Sequence, residues 1–211
     1  MSAKVTVIDY GAGNLHSAAN AFQRLGAEVE LVEDAQSVDH ARCVILPGVG
    51  AFGEGMAGLH RRGLVEPLRR YAASGRPLLG ICLGAQLLLE ESEEFGRHEG
   101  LGLVPGAVRR VPSEGVKVPH VGWRKIYPAS ENAWAGTLLA ETAPQTWAYF
   151  VHSFQCVPTE AGDSCALATY GTHVITAAVR RHSVVGVQFH PEKSGASGLA
   201  MLRTLLDSTF L

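Results

Sequence analysis

The chain has 211 residues, of which 46% are hydrophobic and 18% charged, and its formal net charge at pH 7 is −2. This balance is typical of a globular protein and argues against a disordered chain, and its near-neutral charge argues against a nucleic-acid-binding protein. The sequence has no run of about 18 apolar residues, so we predict no membrane-spanning helix. Its four cysteines form no CxxC pair, which favours reduced thiols, no metal site and a cytoplasmic location.

The first part of the chain alternates short apolar strands with helices. Strands are predicted at residues 5–8, 29–32, 43–46 and 77–81. A helix is predicted from Leu15 to a C-terminal Gly26, and further helices at residues 56–59, 64–71 and 82–89. This alternation predicts βαβ units and therefore a mostly parallel sheet flanked by helices.

From about Val104 onward the pattern changes to strand-like runs separated by turn residues. These runs lie at residues 150–152, 165–170, 174–179 and 184–189, and a last helix is predicted at residues 198–206. We expect them to form an antiparallel extension of the same sheet. With no repeat and no linker in the sequence, a single α/β domain over residues 1–211 is the better prediction.

A cysteine lies at the predicted junction of the fourth strand and the helix that follows. The segment Gly80-Ile81-Cys82-Leu83-Gly84 has the pattern G-x-C-x-G, in which glycines allow a tight reversal and the central side chain is forced outward. The helix N-terminus favours negative charge, so we expect Cys82 to ionise readily as a nucleophile. The alternative is a small buried residue in a glycine-rich strand end, and burial is the prediction for the three other cysteines, Cys43, Cys156 and Cys165.

A cysteine nucleophile needs a base, and the base needs an orienting group. His190-Pro191-Glu192 follows the last apolar strand, and Pro191 should keep the segment extended, so that His190 and Glu192 share a face. Glu192 could then fix the tautomer of His190, whose other nitrogen would exchange a proton with Cys82. An exposed, unremarkable strand end is the alternative for these residues taken alone.

Acyl transfer also needs backbone donors for the developing oxyanion. The turn Gly48-Val49-Gly50 follows the third strand, which we expect next to the fourth, so its N–H groups and that of Leu83 could point into one crevice. An ordinary glycine-rich loop is the alternative.

Four acidic residues occupy what we predict to be the end of the helix that follows Cys82. Like charges there repel one another and oppose the helix dipole, although such a run is usually only a solvated face. We expect Glu94 to hold a substrate ammonium. The run consists of Glu90, Glu91, Glu93 and Glu94.

These motifs together resemble the class-I (triad) glutamine amidotransferases, and among them the glutaminase subunits of imidazole glycerol phosphate synthase, from histidine biosynthesis. The resemblance covers nearly the whole chain. The elbow and the His-Pro-Glu segment are typical of the superfamily, and the segments at 118–123 and 149–153 of the subfamily. The segments that carry it are residues 9–15, 46–53, 80–88, 91–94, 118–123, 149–153 and 186–194.

The resemblance implies a flavodoxin-like α/β fold and hydrolysis of L-glutamine to glutamate and ammonia through a thioester, with no cofactor. It implies Cys82 as nucleophile, His190 as base and acid, and Glu192 as its partner. Gln86 and Glu94 fall where the family contacts glutamine.

The resemblance further implies an oxyanion strand at Gly48, Val49 and Gly50, with the Val49 N–H as donor after a peptide reorientation. It also implies a heterodimer with a (β/α)₈-barrel cyclase subunit that receives the ammonia through a tunnel and whose ligand gates glutaminase turnover. The positions expected to face that partner are Asn14, Pro119, Trp123, Tyr149 and Lys193.

Three positions depart from the family pattern. Arg124 replaces the usual Asn after Gly-Trp, which puts an interface hydrogen bond in doubt, and Ala85 and Val121 replace Met, which should change packing only. Trp123 could be a core aromatic, and His120 and His152 could be structural.

Two other functions remain as alternatives. One is an amidotransferase of another synthase or a stand-alone cysteine hydrolase, against which the subfamily segment at residues 119–123 argues. The other is a binding module without turnover, against which the intact Cys82, His190 and Glu192 argue.

Overall fold

The computed structural model describes residues 3–210, except for the side chain of Phe210. Helices and strands alternate over its first part. The helices are α1 (Leu15–Arg24), α2 (Ala35–His40), α3 (Phe52–Arg61), α4 (Val65–Ala73), α5 (Leu83–Leu87) and α6 (Gly195–Phe210). The strands are β1 (Lys4–Ile8), β2 (Glu28–Val32), β3 (Val44–Gly48), β4 (Leu78–Cys82), β5 (Leu89–Ser92), β6 (His98–Glu99), β7 (Val104–Arg110), β8 (His120–Pro128), β9 (Thr146–His152), β10 (Phe154–Pro158), β11 (Ser164–Tyr170), β12 (His173–Arg181) and β13 (Val184–Val187).

Within the described part of the chain, the larger sheet has nine strands in the order β2-β1-β3-β4-β13-β12-β11-β8-β9. The five strands from β2 to β13 are parallel to one another, and every pairing from β13 through β12, β11 and β8 to β9 is antiparallel. The predicted parallel sheet with an antiparallel extension is therefore confirmed. Because β3, β4 and β13 are adjacent and parallel, the chain leaves all three at the same edge of the sheet, where open α/β sheets form their sites.

Apolar side chains cover both faces of this sheet. One face packs against α1 and α6 through residues such as Phe22 and Leu202. The other packs against α2 to α5 through residues such as Leu59 and Leu68. Burying each such side chain contributes about 1.5–3 kcal/mol, so the parallel strands are held rigidly from both sides.

The smaller sheet was not predicted. It has the order β10-β7-β5-β6, and it corrects the prediction of a helix through residue 89, because α5 ends at Leu87 and the chain continues as β5. In the strand, Glu91 accepts hydrogen bonds from Arg97 and Arg109. Glu93 also lies near Arg109, whereas Glu90 and Glu94 accept from backbone N–H groups. The interpretation of these charges as the end of a helix does not reveal these partners on distant segments.

The short helix α2 has no counterpart among the predicted elements. Asp34 caps it, since its side chain accepts a hydrogen bond of 2.9 Å from the Ser37 N–H. A helix of six residues is too short for its hydrophobic periodicity to be recognised in the sequence. Within residues 3–210, no helix has the length and apolar character needed to cross a bilayer.

Candidate active site

Cys82 lies at the junction of β4 and α5 in a backbone conformation with φ 55° and ψ −109°. The flanking glycines are required by close backbone approach. A Cβ on Gly84 would overlap the Leu46 carbonyl, and one on Gly80 would lie 2.6 Å from the Gly84 oxygen. The predicted sharp turn is present, but its side chain is not outward and exposed as expected: Cys82 is 7% exposed, because it faces a cleft walled by other segments.

That cleft is a cavity of about 250 Å³ that brings together most of the residues singled out from the sequence. Gly48 lies just outside its lining, paired in register with Cys82 across β3 and β4. The lining residues are Val49, Gly50, Cys82, Leu83, Gln86, Glu94, Val151, His152, Ser153, Phe154 and His190.

His190 and Glu192 are in contact, with 2.7 Å between Nδ1 and Oε1, and both side chains are almost completely buried. The segment is a 3₁₀ turn over Pro191–Lys193 and not extended as predicted, because proline is well suited to the first position of a helical turn. The Ser194 hydroxyl closes the turn by donating to the His190 carbonyl. The expected contact between His190 and Glu192 is therefore formed by a turn, and not by two side chains on the same face of an extended segment.

The surroundings of His190 favour its charged form. Burial lowers the pKa of the imidazole, but the neighbouring Cys82 and Glu192 outweigh burial and raise this pKa to about 9. The carboxylate contact assigns the proton of Nδ1 to the bond with Glu192. Nε2 is buried and has no hydrogen-bond partner among residues 3–210, so it is the nitrogen left to exchange a proton with a group in the cleft.

Gln86 and Glu94 both line the cavity, and each has a fixed orientation. The Gln86 side-chain nitrogen donates to the Phe154 carbonyl at 2.9 Å and to the Gln188 side-chain oxygen at 3.0 Å. Glu94 Oε2 accepts a bond of 2.7 Å from the Phe52 N–H at the start of α3, where backbone donors lack partners within the helix. The loop carrying Glu94 is thereby tied to α3.

Two further buried histidines form a pair next to the cavity, and one of them, His152, lines it. His152 Nδ1 lies 2.8 Å from the Phe154 carbonyl, and its Nε2 lies 2.9 Å from His120 Nδ1. Burial lowers both pKa values, to about 4 for His152 and about 3 for His120. Both rings are therefore neutral at pH 7, and the carbonyl, which only accepts, requires the proton of His152 on Nδ1.

The residues predicted to face a partner are mostly exposed. Trp123, 44% exposed, and the half-buried Tyr149 form an edge-to-face pair with 5.8 Å between ring centroids. Trp123 is on β8, one strand in from the edge strand β9, and its exposure shows that it is not a core aromatic. Asn14, Pro119 and Lys193 are exposed as well, and Asn14 also caps α1 by accepting from the Ser17 N–H.

The three departures from the family pattern have different environments. Arg124 lies over the Tyr170 ring, 4.9 Å from its centroid, and donates to the Trp123 carbonyl. Ala85 is fully buried, whereas Val121 is 52% exposed. A packing change stays a prediction for the buried Ala85, whereas at Val121 most of the side chain is in solvent and little packing is available to change.

Sequence reasoning missed three residues that support the site. Tyr10 donates to the Pro47 carbonyl at 2.7 Å, and Ser194 joins the His190 turn to β9 by accepting from the Tyr149 N–H. Gln188, 1% exposed, donates to Cys82 Sγ across 3.8 Å. A usable signal existed for Gln188, because it precedes His190 by two residues at the end of an apolar strand, where alternation puts both on one face.

The family model for glutamine amidotransferase class-I matches residues 6–207. The chain belongs to the class-I glutamine amidotransferases. It is 44% identical to imidazole glycerol phosphate synthase subunit HisH 1 of Legionella pneumophila (strain Lens), over 96% of this chain and 98% of the relative. It is also 44% identical to subunit HisH 2 of Parasynechococcus marenigrum (strain WH8102), over 98% of this chain and 96% of the relative. The predicted family and enzyme class are confirmed.

Solved structures share the fold at low sequence identity. PurLQS from Thermotoga maritima matches with a TM-score of 0.77 and 20% identity, over 98% of this chain and 99% of that one. A glutamine amidotransferase from Thermotoga maritima matches with a TM-score of 0.64 and 14% identity, over 98% of this chain and 97% of that one. The class-I amidotransferase fold predicted from the motifs is thus confirmed.

Proposed function

We propose that this chain is the glutaminase subunit of imidazole glycerol phosphate synthase, which hydrolyses L-glutamine and passes the ammonia to a cyclase subunit in histidine biosynthesis. The names of the HisH relatives support this assignment. The observation that carries it is the meeting in one cavity of Cys82 and His190 with Gln86 and Glu94, while Glu192 holds the far side of the imidazole.

Acylation begins with the Cys82 thiolate attacking the δ-carbonyl carbon of glutamine. The carbonyl π electrons move to oxygen, and backbone N–H groups stabilise the resulting anion. The His190 imidazolium then protonates the amide nitrogen from Nε2, the carbon–nitrogen bond breaks, and ammonia leaves a thioester. A raised His190 pKa of about 9 provides this acid at neutral pH.

Deacylation reuses the same residues in the reverse order. Neutral His190 takes a proton from water, whose oxygen attacks the thioester carbon. The carbon–sulfur bond then breaks, the Cys82 thiolate is regenerated and glutamate is released. Glu192 keeps the His190 proton on Nδ1 and stabilises the imidazolium in both steps.

The oxyanion donors in this proposal are the N–H groups of Leu83 and, after a peptide reorientation, of Val49. Leu83 opens α5, where N–H groups have no partner inside the helix. Gly50 has φ 107°, and a Cβ added to it would meet no atom of the described residues within 4 Å; Val49 is 42% exposed. A loop with this freedom supports a switch between resting and active arrangements, and its exposure makes it accessible to the partner.

The partner surface in this proposal is built around Trp123 and Tyr149 at the β8–β9 end of the sheet. An exposed tryptophan is a good anchor for a (β/α)₈-barrel cyclase. Direct transfer of ammonia has a chemical advantage, because in water at neutral pH ammonia becomes ammonium and loses its nucleophilicity. Tyr149 also accepts a backbone bond of 2.9 Å from His190, so this surface is joined to the catalytic base.

The nucleophile is tested in the complex reconstituted with the cyclase subunit. Cys82→Ala should abolish synthesis from glutamine, while synthesis from ammonium salts continues at the native rate. The ammonium reaction is the internal control for folding and assembly. Glutamine turnover that survives in Cys82→Ala would remove this residue as the nucleophile.

The partner surface is tested separately by measuring cyclase affinity and the coupling of glutamine hydrolysis to synthesis. Trp123→Ala should weaken affinity at least about tenfold or uncouple the two reactions. Leu31→Ala is the matched control, because Leu31 is 46% exposed on β2, at the opposite edge of the sheet. Equal behaviour of the two variants would argue against a partner at Trp123.

A further inference from the structure

Gln188 is a buried amide at the end of β13 that the proposed reaction does not use. Its side chain is 1% exposed, and its backbone N–H is satisfied by the Ala177 carbonyl at 2.9 Å. A side-chain amide this deeply buried is costly unless its donors and acceptor find partners. The partners of Gln188 are found at the nucleophile and at Gln86.

The orientation of the Gln86 and Gln188 side-chain amides follows from which neighbouring atoms can only accept or only donate a hydrogen bond. The Phe154 carbonyl can only accept, so the side-chain nitrogen of Gln86 must face it. The same nitrogen donates its second hydrogen to Gln188 Oε1 at 3.0 Å. Because the oxygen of Gln188 is used in this way, its nitrogen faces Cys82 Sγ, 3.8 Å away.

Two groups, one from the backbone and one from a side chain, therefore act on the sulfur in opposite senses. The Val151 carbonyl, 3.8 Å from Sγ, accepts from the thiol and favours the protonated form. The Gln188 N–H donates to the sulfur, which favours the thiolate, since a donor stabilises an anionic acceptor. Without Gln188 the carbonyl would act on the sulfur unopposed by this donor.

The titratable groups around Cys82 on other segments are Tyr10, Cys156, His152, His190 and Glu94. Burial raises the pKa of Tyr10 and Cys156 well above the ordinary range and lowers that of His152 to about 4, so all three are neutral at pH 7. The Glu94 carboxylate lines the same cavity but accepts a hydrogen bond from the Phe52 N–H, and His190 is the group that exchanges a proton. The pH response of the sulfur therefore belongs to the Cys82–His190 pair, with Gln188 as a neutral donor beside it.

We propose that Gln188 stabilises the Cys82 thiolate through its side-chain N–H, and that Gln86 holds Gln188 in the donating orientation. This inference rests on the proposed role of Cys82 as nucleophile. It gives Gln86 a second task besides contacting glutamine, namely fixing which end of the neighbouring amide faces the sulfur.

The test measures alkylation of Cys82 by iodoacetamide as a function of pH, followed by mass spectrometry of the peptide that contains it. The thiolate electron pair forms the carbon–sulfur bond and iodide leaves, so the rate reports the ionised fraction without glutamine turnover. Selectivity is expected, because burial raises the pKa of Cys43 to about 12 and of Cys165 to about 11.

Gln188→Met keeps the size of the side chain and removes the donor. We expect the pH midpoint of alkylation to rise by about one unit, so that the rate at pH values below the midpoint falls about tenfold while the high-pH plateau is unchanged. Gln86→Met, which frees Gln188 without touching the sulfur, should produce a smaller shift in the same direction, about threefold in rate.

Gln155→Met is the matched control, because Gln155 is another buried glutamine whose oxygen accepts from the Thr176 N–H. It should leave the midpoint in place. A purely structural role for Gln188 would alter the plateau or the unfolding temperature but not the midpoint, and an unmoved midpoint in Gln188→Met and Gln86→Met overturns the inference. Failure of the proposed function is distinguishable, since it appears as glutamine turnover in Cys82→Ala.

Discussion

Two regions of the molecule bring buried histidines to the same cavity and give them opposite proton affinities. At the end of the parallel strands, the pKa of His190 is raised to about 9 although burial opposes this. In the β8–β9 hairpin, burial lowers the pKa of His120 to about 3 and of His152 to about 4. The difference lies in the partners: Cys82 and a carboxylate 2.7 Å away for His190, versus another ring and a carbonyl for the hairpin histidines.

The two regions are also built differently. The parallel end depends on close backbone approach, as at Gly48, where a Cβ would lie 2.9 Å from Leu83 Cβ. The hairpin depends on ring packing, with 4.1 Å between the centroids of His120 and Tyr170 and 5.1 Å between those of His120 and Phe150. We therefore expect the first region to be sensitive to any added atom and the second to changes in protonation.

The largest effect is expected from Gly84→Ala, since the new Cβ would overlap the Leu46 carbonyl of a buried neighbouring strand. Neither backbone can move without displacing the nucleophile turn. Unfolding in urea should show a loss of about 4 kcal/mol or more. Gly162→Ala is the control, because its Cβ would enter open space, and a small loss in both variants would contradict the steric argument.

Glu192→Gln tests whether the carboxylate sets the proton affinity of His190. The negative charge stabilises the imidazolium, so its removal should lower the His190 pKa and move the alkaline limit of glutamine hydrolysis from about pH 9 toward neutrality. We also expect kcat to fall by about 10²–10⁴-fold. A pH–rate profile measured with the cyclase present provides both values, and an unchanged alkaline limit would show that the charge is not the cause.

The sequence predicts this parallel region better than the rest of the chain. The strands at residues 5–8, 29–32 and 77–81 and the elbow at Cys82 follow from local signals, namely apolar runs, glycines and strand–helix alternation. Family motifs locate Gln86 and Glu94, and both line the cavity. The roles assigned to these residues stay predictions.

The remaining features depend on contacts between distant segments. The helix was predicted to run into the start of β5 and the acidic run was taken as its end, because the arginine partners of Glu91 lie on other segments. The contact between His120 and His152 likewise links two strands. Neither contact has a local signature. The segment after His190 is the opposite case. The contact between His190 and Glu192 was predicted, but from an extended backbone, whereas the structure has a 3₁₀ turn over Pro191–Lys193.

Tyr10→Phe tests whether the hydrogen bond that anchors the proposed oxyanion strand affects catalysis in addition to the stability of the fold. Tyr10 is fully buried and donates to the Pro47 carbonyl, directly before Gly48. Loss of this bond should cost about 1–3 kcal/mol in unfolding, and it should lower kcat for glutamine several-fold because the strand loses an anchor. Tyr71→Phe is the matched control, since Tyr71 donates to the Pro77 carbonyl at 3.0 Å at the start of β4, away from the cavity.

Both tyrosine variants should therefore lose similar stability, measured by urea unfolding, while kcat falls only in Tyr10→Phe. Equal kcat values would show that the Pro47 contact has no influence on the catalytic loop. A fall in both would mean that general loosening, and not the anchor, slows the reaction.

The smallest expected effect is a change in how steeply the unfolding free energy depends on pH. It concerns the neutral histidines of the hairpin. Their native pKa values lie below the ordinary value of 6.5, so between about pH 6.5 and pH 4 the unfolded chain binds more protons than the native one. Stability should fall on acidification by as much as about 1.4 kcal/mol per pH unit for each such histidine. His120→Asn retains a nitrogen that can donate to His152 but cannot titrate, so one histidine's share of the slope should disappear. Unfolding free energies at about pH 7, 6, 5.5 and 5 check this, and parallel curves for the two proteins would show that His120 is not held neutral.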